Sequence, residues 1–197
     1  MDIKAFNYIG YGLYVITSFD GKKHNGFISN SVMQISVNPL KVAVSINKQN
    51  YSYNVIKESG IMNVNILTEE TPFATFSKFG FQSGREVDKF SGEKVITTQN
   101  GLAVLKDNVN AVLCLKVDEF VDAGSHGLFI CSVEDSFVKD DKETMTYSFY
   151  HKNVKPKPKA KNAYVCKICN YVYEGEELPS DYICPLCKHG AEFFEKK

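Results

Sequence analysis

The sequence predicts a mainly β protein, an antiparallel barrel with a few helices, followed by a small metal-binding domain. Three observations predict it. Roughly seven β-branched, partly alternating segments fill residues 12–151, with only two short helical patterns between them. A parallel sheet needs long helices between its strands, and none is present. Near the end, Cys166, Cys169, Cys184 and Cys187 stand as C-x2-C-x14-C-x2-C, a spacing that holds one tetrahedral four-sulfur metal ion.

GLYVITSF (12–19), GFISNSVMQISV (26–37), KVAVSIN (41–47) and IMNVNIL (61–67) read as strands. NAVLCLKVDEFVDA, GLFICSVEDSFV and TMTYSFYH read the same way further on. YSYNVIKESG (51–60) reads as a helix with Tyr53, Ile56 and Lys57 on successive turns and Gly60 as its stop. TPFATFSKFG (71–80) reads as a second, with Thr71 as cap, Pro72 at the first helical position and Gly80 at the end. About seven strands with so few helices fit a closed antiparallel barrel. HKNVKPKPKAKN (151–162) carries five lysines and alternating prolines with no apolar partner. It is expected to be a solvated, semi-rigid linker rising ~3.1 Å per residue. The expected division is thus 1–150, linker 151–162 and 163–197.

With 44% hydrophobic and 13% aromatic residues the chain can bury a core. Net charge is zero, distributed as −3, +5 and −2 over those three segments. Nothing there selects nucleic acid or a membrane surface as partner. The N-terminus lacks the basic start and apolar run of a signal peptide, and no apolar run reaches the ~18 residues of a membrane span. A cytoplasmic protein is expected, and there the paired cysteines read as metal ligands rather than disulfides. No G-x-G-x-x-G follows a strand, and neither a Walker motif, a Ser-His-Asp motif nor H-E-x-x-H is present.

The four-cysteine spacing alone leaves zinc and iron open. Its surroundings are aromatic: Tyr164, Tyr171, Tyr173, Tyr182, Phe193 and Phe194. A domain of this size needs the metal as a staple. An aromatic shell also keeps water from sulfur and tunes a redox potential. YVCKICNYVYEGEELPSDYICPLCKHGAEFFE resembles rubredoxin over its whole length: Tyr-x-Tyr after the first pair, Leu-Pro before the second, Cys-Pro, and a Phe-Glu ending. It departs in a shorter central loop, in Tyr182 where Trp is usual, and in Asn170 and Lys188 where Gly often follows each knuckle. The resemblance implies one iron held by Cys166, Cys169, Cys184 and Cys187, passing one electron at a time with no open coordination position; structural zinc is the alternative.

Upstream, short polar side chains crowd the strands: Thr17, Ser18, Asn25, Ser29, Asn30, Ser31, Gln34, Ser45 and Asn47. Half are accounted for by solvent-facing positions. The rest sit among apolar neighbours, where polar groups need partners, and a planar, multiply hydrogen-bonding ligand supplies them. GLYVITS, NGFISNSVMQISVNP, VAVSINKQNYS, SGIMNVNIL, FGFQSGREVDKF and GSHGLFICSVED, in that order, resemble the flavin reductase-like family, the FMN-binding split barrels, and its flavoredoxin-like branch. The resemblance covers roughly residues 8–150. It implies a homodimer with one FMN per subunit near the interface. On it, Thr17, Asn30, Ser31 and Gln34 edge the isoalloxazine ring. Ser45, Asn47, Lys48, Asn50 and Tyr51 serve ribityl and phosphate, and Ser83, Gly84, Arg85 and Lys89 add anion contacts. Ion pairing of Arg85 with Glu86 or Asp88 is the alternative there. His126, in GSHGLF, matches a family histidine near the nicotinamide side of the flavin; a plain turn histidine is the alternative. Cys114 and Cys131, in apolar runs, read as core thiols.

Nicotinamide gives two electrons as a hydride and a rubredoxin iron accepts one. Flavin can mediate between them, and a tether raises the effective concentration of the iron module at the flavin. The expected function is electron transfer from NAD(P)H to FMN to iron to an outside acceptor. The joined architecture resembles the high-molecular-weight rubredoxins of anaerobes, which implies a flavodiiron O2 or NO reductase as that acceptor. Two other classes stay open: a free flavin reductase that releases reduced flavin, and a non-enzymatic carrier fed by a separate reductase.

Overall fold

The structure, a computed structural model, describes residues 2–92, 94–156, 163–168, 171–185 and 188–196. The chain divides into two compact units: Tyr11–Val154, and Met1–Gly10 together with Lys155–Lys197.

The larger unit is built on one seven-stranded antiparallel sheet in the order β2-β1-β5-β8-β9-β4-β3. Its strands are β1 (Tyr14–Phe19), β2 (His24–Ser29), β3 (Val32–Val37), β4 (Leu40–Asn47), β5 (Ile61–Leu67), β8 (Val109–Asp122) and β9 (His126–Val138). A small hairpin, β6 (Ile96–Thr97) with β7 (Ala103–Val104), lies beside it. Asp20 and Gly21 turn β1 into β2, with Gly21 at φ 87°. Glycine takes that left-handed backbone without strain. Helix α1 (Tyr51–Ser59) starts under the Asn50 side chain, which accepts from the Ser52 N–H, and ends at Gly60 in the left-handed region with φ 72°.

The sheet curls. If it were flat, β2 and β4 would lie five strand spacings apart, roughly 24 Å. Yet Phe27 of β2 and Val42, Val44 and Ile46 of β4 share one buried cluster with Tyr53 and Ile56 of α1. That cluster is the barrel interior, with α1 packed into it. Truncating the fully buried Ile56 to Ala is expected to cost about 2–5 kcal/mol. A second cluster lies on the opposite face of β1, β5 and β8. There Val15, Leu67, Val112 and Cys114 meet Phe76 and Phe79 of α2 (Phe73–Gly80), the β6–β7 hairpin and Tyr150. Val15 and Ile16 point into different clusters, so β1 is buried on both faces and reads as a continuous apolar run.

Four expectations change in detail. The stretch 26–37 is two strands, because the chain leaves the ladder at Asn30 and Ser31. There the Ser29 hydroxyl accepts from the Ser31 N–H, and Asn30 Oδ1 accepts from the Ser31 hydroxyl. Such local bonds compete with a ladder. These two residues join the two edges of the sheet, and no ladder pairs β2 with β3. The barrel is therefore split along the β2/β3 seam, as the family resemblance implies, and not closed as strand count alone suggests. Pro72, not Thr71, is the α2 cap; the Thr71 hydroxyl donates to the Thr68 carbonyl instead. TMTYSFYH is not a strand beyond its bridges at Thr144 and Thr146. Thr146 caps a helical turn that runs through Val154, and Tyr147, Tyr150 and Val154 pack on the second cluster. The larger unit accordingly reaches into the stretch expected to be linker. Residues 157–162 of that stretch lie outside the described residues.

In the smaller unit β10 (Tyr164–Cys166) is paired between β11 (Val172–Tyr173) and β12 (Phe194–Lys196), all antiparallel. No helix among the described residues is long and apolar enough to cross a membrane.

Candidate functional site: the split seam and the cysteine knuckles

Asn47, Lys48, Tyr51, Arg85 and His126 gather around the β4–α1 loop, which faces the β8–β9 turn. Asn47 stands opposite His126 in the β4–β9 ladder. The Lys48 N–H donates to the Ser125 carbonyl at 3.1 Å, and its Nζ pairs with Asp122 at 2.6 Å. Arg85 donates from Nη1 to the Gln49 carbonyl at 3.3 Å and lies over the Tyr51 ring, 5.5 Å from its centroid. Among the described residues Arg85 forms no ion pair with Glu86 or Asp88, and its side chain is exposed. Two residues back along β4, the Ser45 N–H donates to the Ser31 carbonyl at 3.0 Å, which ties the split seam to this loop. Asn30 and Ser31 are half-buried at the seam. Gln34 lies farther along edge strand β3, exposed, with its amide on the Ser36 carbonyl.

Other expected contacts form scaffold behind this rim. Thr17 is fully buried and its hydroxyl donates to the Ala103 carbonyl at 2.6 Å, so it holds the β6–β7 hairpin. Lys89 is 3% exposed; its ammonium donates to the carbonyls of Gly26 in β2 and Phe79 in the last turn of α2. Burial pushes the Lys89 amine down to about 8. The Ser83 hydroxyl accepts from the Arg85 N–H and shapes its turn. Gly84 packs against Asn25 so closely that a Cβ there would lie 2.3 Å from Asn25 Oδ1. The Asn50 side chain is committed to the α1 cap.

Several residues at the site were not singled out from sequence. Asp20 accepts from the Tyr51 hydroxyl at 2.6 Å and from the Lys22 and Lys23 N–H groups. Burial opposes ionisation of Asp20, but these bonds outweigh it and bring the carboxyl down to about 2. The Asp-Gly turn was the visible signal for Asp20. Ser52 gathers the Ser18 hydroxyl and the Asn25 amide, both buried, and no sequence pattern marked it. Ser125 Oγ lies 2.9 Å from His126 Nδ1 and fixes that ring. Cys114 and Cys131 are buried core thiols, and burial pushes Cys131 up to about 12.

Cys166 and Cys184 are fully buried against Ile168, Tyr171 and Phe194. Each opens an equivalent turn. The Cys166 N–H donates to the Tyr171 carbonyl and the Cys184 N–H to the His189 carbonyl, both at 2.8 Å. In each turn the second cysteine stands three residues on, at Cys169 and Cys187, which lie outside the described residues. Two like turns offering buried soft donors in an apolar shell fit a four-sulfur metal centre. The rim described above, with amides, hydroxyls and two cations along a split barrel, fits a ligand that is planar, polar-edged and anionic at one end.

Residues 6–157 match the flavin reductase like domain. The chain belongs to the flavin reductase-like family. Residues 164–195 match the rubrerythrin, rubredoxin-like domain. The chain is 38% identical to the high molecular weight rubredoxin of Moorella thermoacetica, over 100% of both chains. It is also 38% identical to the ferric-chelate reductase (NAD(P)H) of Archaeoglobus fulgidus, over 77% of this chain and 89% of that one. The fold of the larger unit is that of the NADH:FAD oxidoreductase of Streptomyces globisporus, with TM-score 0.66, 19% identity, and 73% and 84% of the two chains covered. This member of the family is thus a flavin reductase-like domain joined to a rubredoxin-like one: a flavoprotein oxidoreductase of electron transport, with FMN and one four-cysteine iron as cofactors.

Proposed function

We propose that the chain takes hydride from NAD(P)H onto FMN and passes single electrons through the four-cysteine iron to an external redox protein. The observation that supports this most directly is the presence of both halves on one chain. The chain carries a split barrel with a polar, cationic rim and a buried-thiol knuckle pair, and similarity to a high molecular weight rubredoxin extends over the full length. The ferric-chelate reductase relative, which matches the flavin domain, carries NAD(P)H in its name.

In this reading Asn30, Ser31, Ser45 and Asn47 hold the polar edge and ribityl chain of FMN with amide and hydroxyl groups. Arg85 receives the phosphate as a planar fork, steadied by the Tyr51 ring and the Gln49 carbonyl. Lys48 adds a second cation, already half-neutralised by Asp122. Thr17 and Lys89 brace β1, β2 and α2 behind the cofactor. His126, fixed by Ser125, orients the nicotinamide. Cys166, Cys169, Cys184 and Cys187 hold the iron. Bound flavin accepts two electrons together and releases them singly.

The same reading gives a cytoplasmic homodimer. Its support is edge strand β3, where Met33 is 63%, Ile35 44% and Val37 80% exposed. Bare apolar edges are ordinarily covered. Light scattering of the purified protein is expected to give twice the chain mass, and Val37→Asp with Met33→Asp to halve it. A monomeric parent protein contradicts the dimer. The redox reading is tested by the visible spectrum before and after dithionite, with iron, zinc and flavin content on one sample. Ferric–thiolate bands over a flavin spectrum, both bleaching, are expected. Flavin bands with stoichiometric zinc contradict the iron and leave a free flavin reductase.

A further inference from the structure

Lys89 is buried without a counter-ion. It is 3% exposed, and no carboxylate pairs with it among the described residues. Its ammonium donates to the Gly26 carbonyl of β2 at 2.8 Å and to the Phe79 carbonyl of α2 at 3.2 Å. Burial pushes the amine down to about 8, so at neutral pH the charge is held against desolvation. An apolar side chain of similar length avoids that cost. Departures of this kind concentrate at functional sites.

Lys89 stands four residues after Arg85, on a segment, 81–95, with neither helix nor strand among its described residues. Among the described residues of 83–91, both hydrogen bonds to β2 and α2 are made by Lys89. Phe90 adds packing, its ring 5.6 Å from that of Phe79. At the other end Gly84 lies against Asn25, where an added Cβ would collide with Oδ1. That approach brings no hydrogen bond, since Asn25 Oδ1 is buried and accepts none among the described residues. Asn25 and Gly26 are neighbours on β2, so Gly84 and Lys89 seat the segment on one short stretch of one strand. Arg85 stands between these two attachments. Its guanidinium meets the Gln49 carbonyl and the Tyr51 ring, and the Tyr51 hydroxyl is held in turn by Asp20. A planar fork recognises phosphate by its geometry, and placing it in advance lowers the ordering cost of binding.

We infer that Lys89 is a positioning residue for Arg85: by pinning 83–91 to β2 and α2, it holds the guanidinium where the FMN phosphate is received, without touching the ligand. The inference rests on the reading of Arg85 given above. It separates two roles that residue type alone would merge, since one cation meets the phosphate and the other sets the first in place.

The test uses the full chain stripped of flavin, titrated by fluorescence with FMN and with riboflavin, which lacks the phosphate. Lys89→Met, Arg85→Ala and the double variant are compared with the parent protein. Lys89→Met is expected to weaken FMN about fivefold or more and riboflavin less than about twofold. In the Arg85→Ala background the same change is expected to add less than about twofold, because the two residues act as one unit. An undiminished loss in that background overturns the inference, since Lys89 would then act on the phosphate by itself. An equal loss with both flavins also overturns it, as general loosening of the fold, and so does no loss with FMN. Should Lys89→Met not fold, Gly84→Ala moves the same segment off Asn25 and must show the same dependence on Arg85; additive losses there overturn the inference. Failure of the Arg85 reading shows separately, as Arg85→Ala binding FMN like the parent, and it removes the inference with it.

Discussion

Arg85 and Lys48 are both cations at the rim, but their surroundings differ. Lys48 is paired with Asp122, whereas Arg85 bonds a carbonyl and stacks on Tyr51. Arg85→Ala is therefore expected to weaken FMN binding tenfold or more, and Lys48→Ala much less, since a bond to a charged group contributes about 1.5–3 kcal/mol. Fluorescence titration of the apoprotein with FMN measures both. Gly127 follows His126 and faces two rings: an added Cβ would lie 2.4 Å from Phe120 and 2.7 Å from Tyr53. Gly127→Ala is expected to cost about 1–3 kcal/mol in urea denaturation, because neither ring can retreat from a packed core. Lys89 gives a pH effect of definite sign. Burial brings its folded pKa to about 8 against the ordinary lysine value of 10.5, so between those values the unfolded chain binds more protons. Stability therefore rises with pH across that window. Denaturation of the parent protein and of Lys89→Met at pH 8 and pH 10 checks this: the rise should be present in the first and missing in the second.

Among the elements, β5 does most to fix the lateral hairpin. Asn65 donates to the Val15 carbonyl and accepts from the Leu105 N–H, and Asn63 bonds Leu102, Thr98 and Asn100. Both asparagine side chains are fully buried, so Asn65→Ala is expected to cost about 1–3 kcal/mol and to raise hydrogen exchange first at residues 98–105. IMNVNIL was legible as a strand, yet nothing in the sequence said what its asparagines would bind, since those partners lie some forty residues away. Helix α1 was legible in its bounds because its Gly60 stop is a local signal, whereas its Asn50 cap was read as a ligand contact. The break at Asn30–Ser31 was not, because apolar alternation runs on through it and only side-chain bonds interrupt the ladder. TMTYSFYH misled in the opposite way: its aromatic content suits a strand, and tertiary packing of Tyr147, Tyr150 and Val154 selects a helical turn. The cysteine spacing was the most readable feature of all, because ligand chemistry fixes it whatever the fold. The proposed flavin rim was readable as residue types but not as geometry: Thr17 and Lys89 are buried and bond backbone carbonyls.

For the whole molecule, the two halves have different limits. The larger unit has two apolar clusters and is stable by burial. Among the described residues the smaller has one, around Cys166 and Cys184, and is expected to depend on its metal. The electron-transfer account requires that both cofactors be reduced from one donor in one order. Anaerobic stopped-flow mixing of the holoprotein with NADH or NADPH, followed at flavin and at ferric–thiolate wavelengths, tests this most directly. The account predicts flavin bleaching first and ferric bleaching after it, at a rate independent of protein concentration because the electron travels within one assembly. A flavin that neither nucleotide bleaches, or a ferric band that persists beside fully reduced flavin, would contradict it.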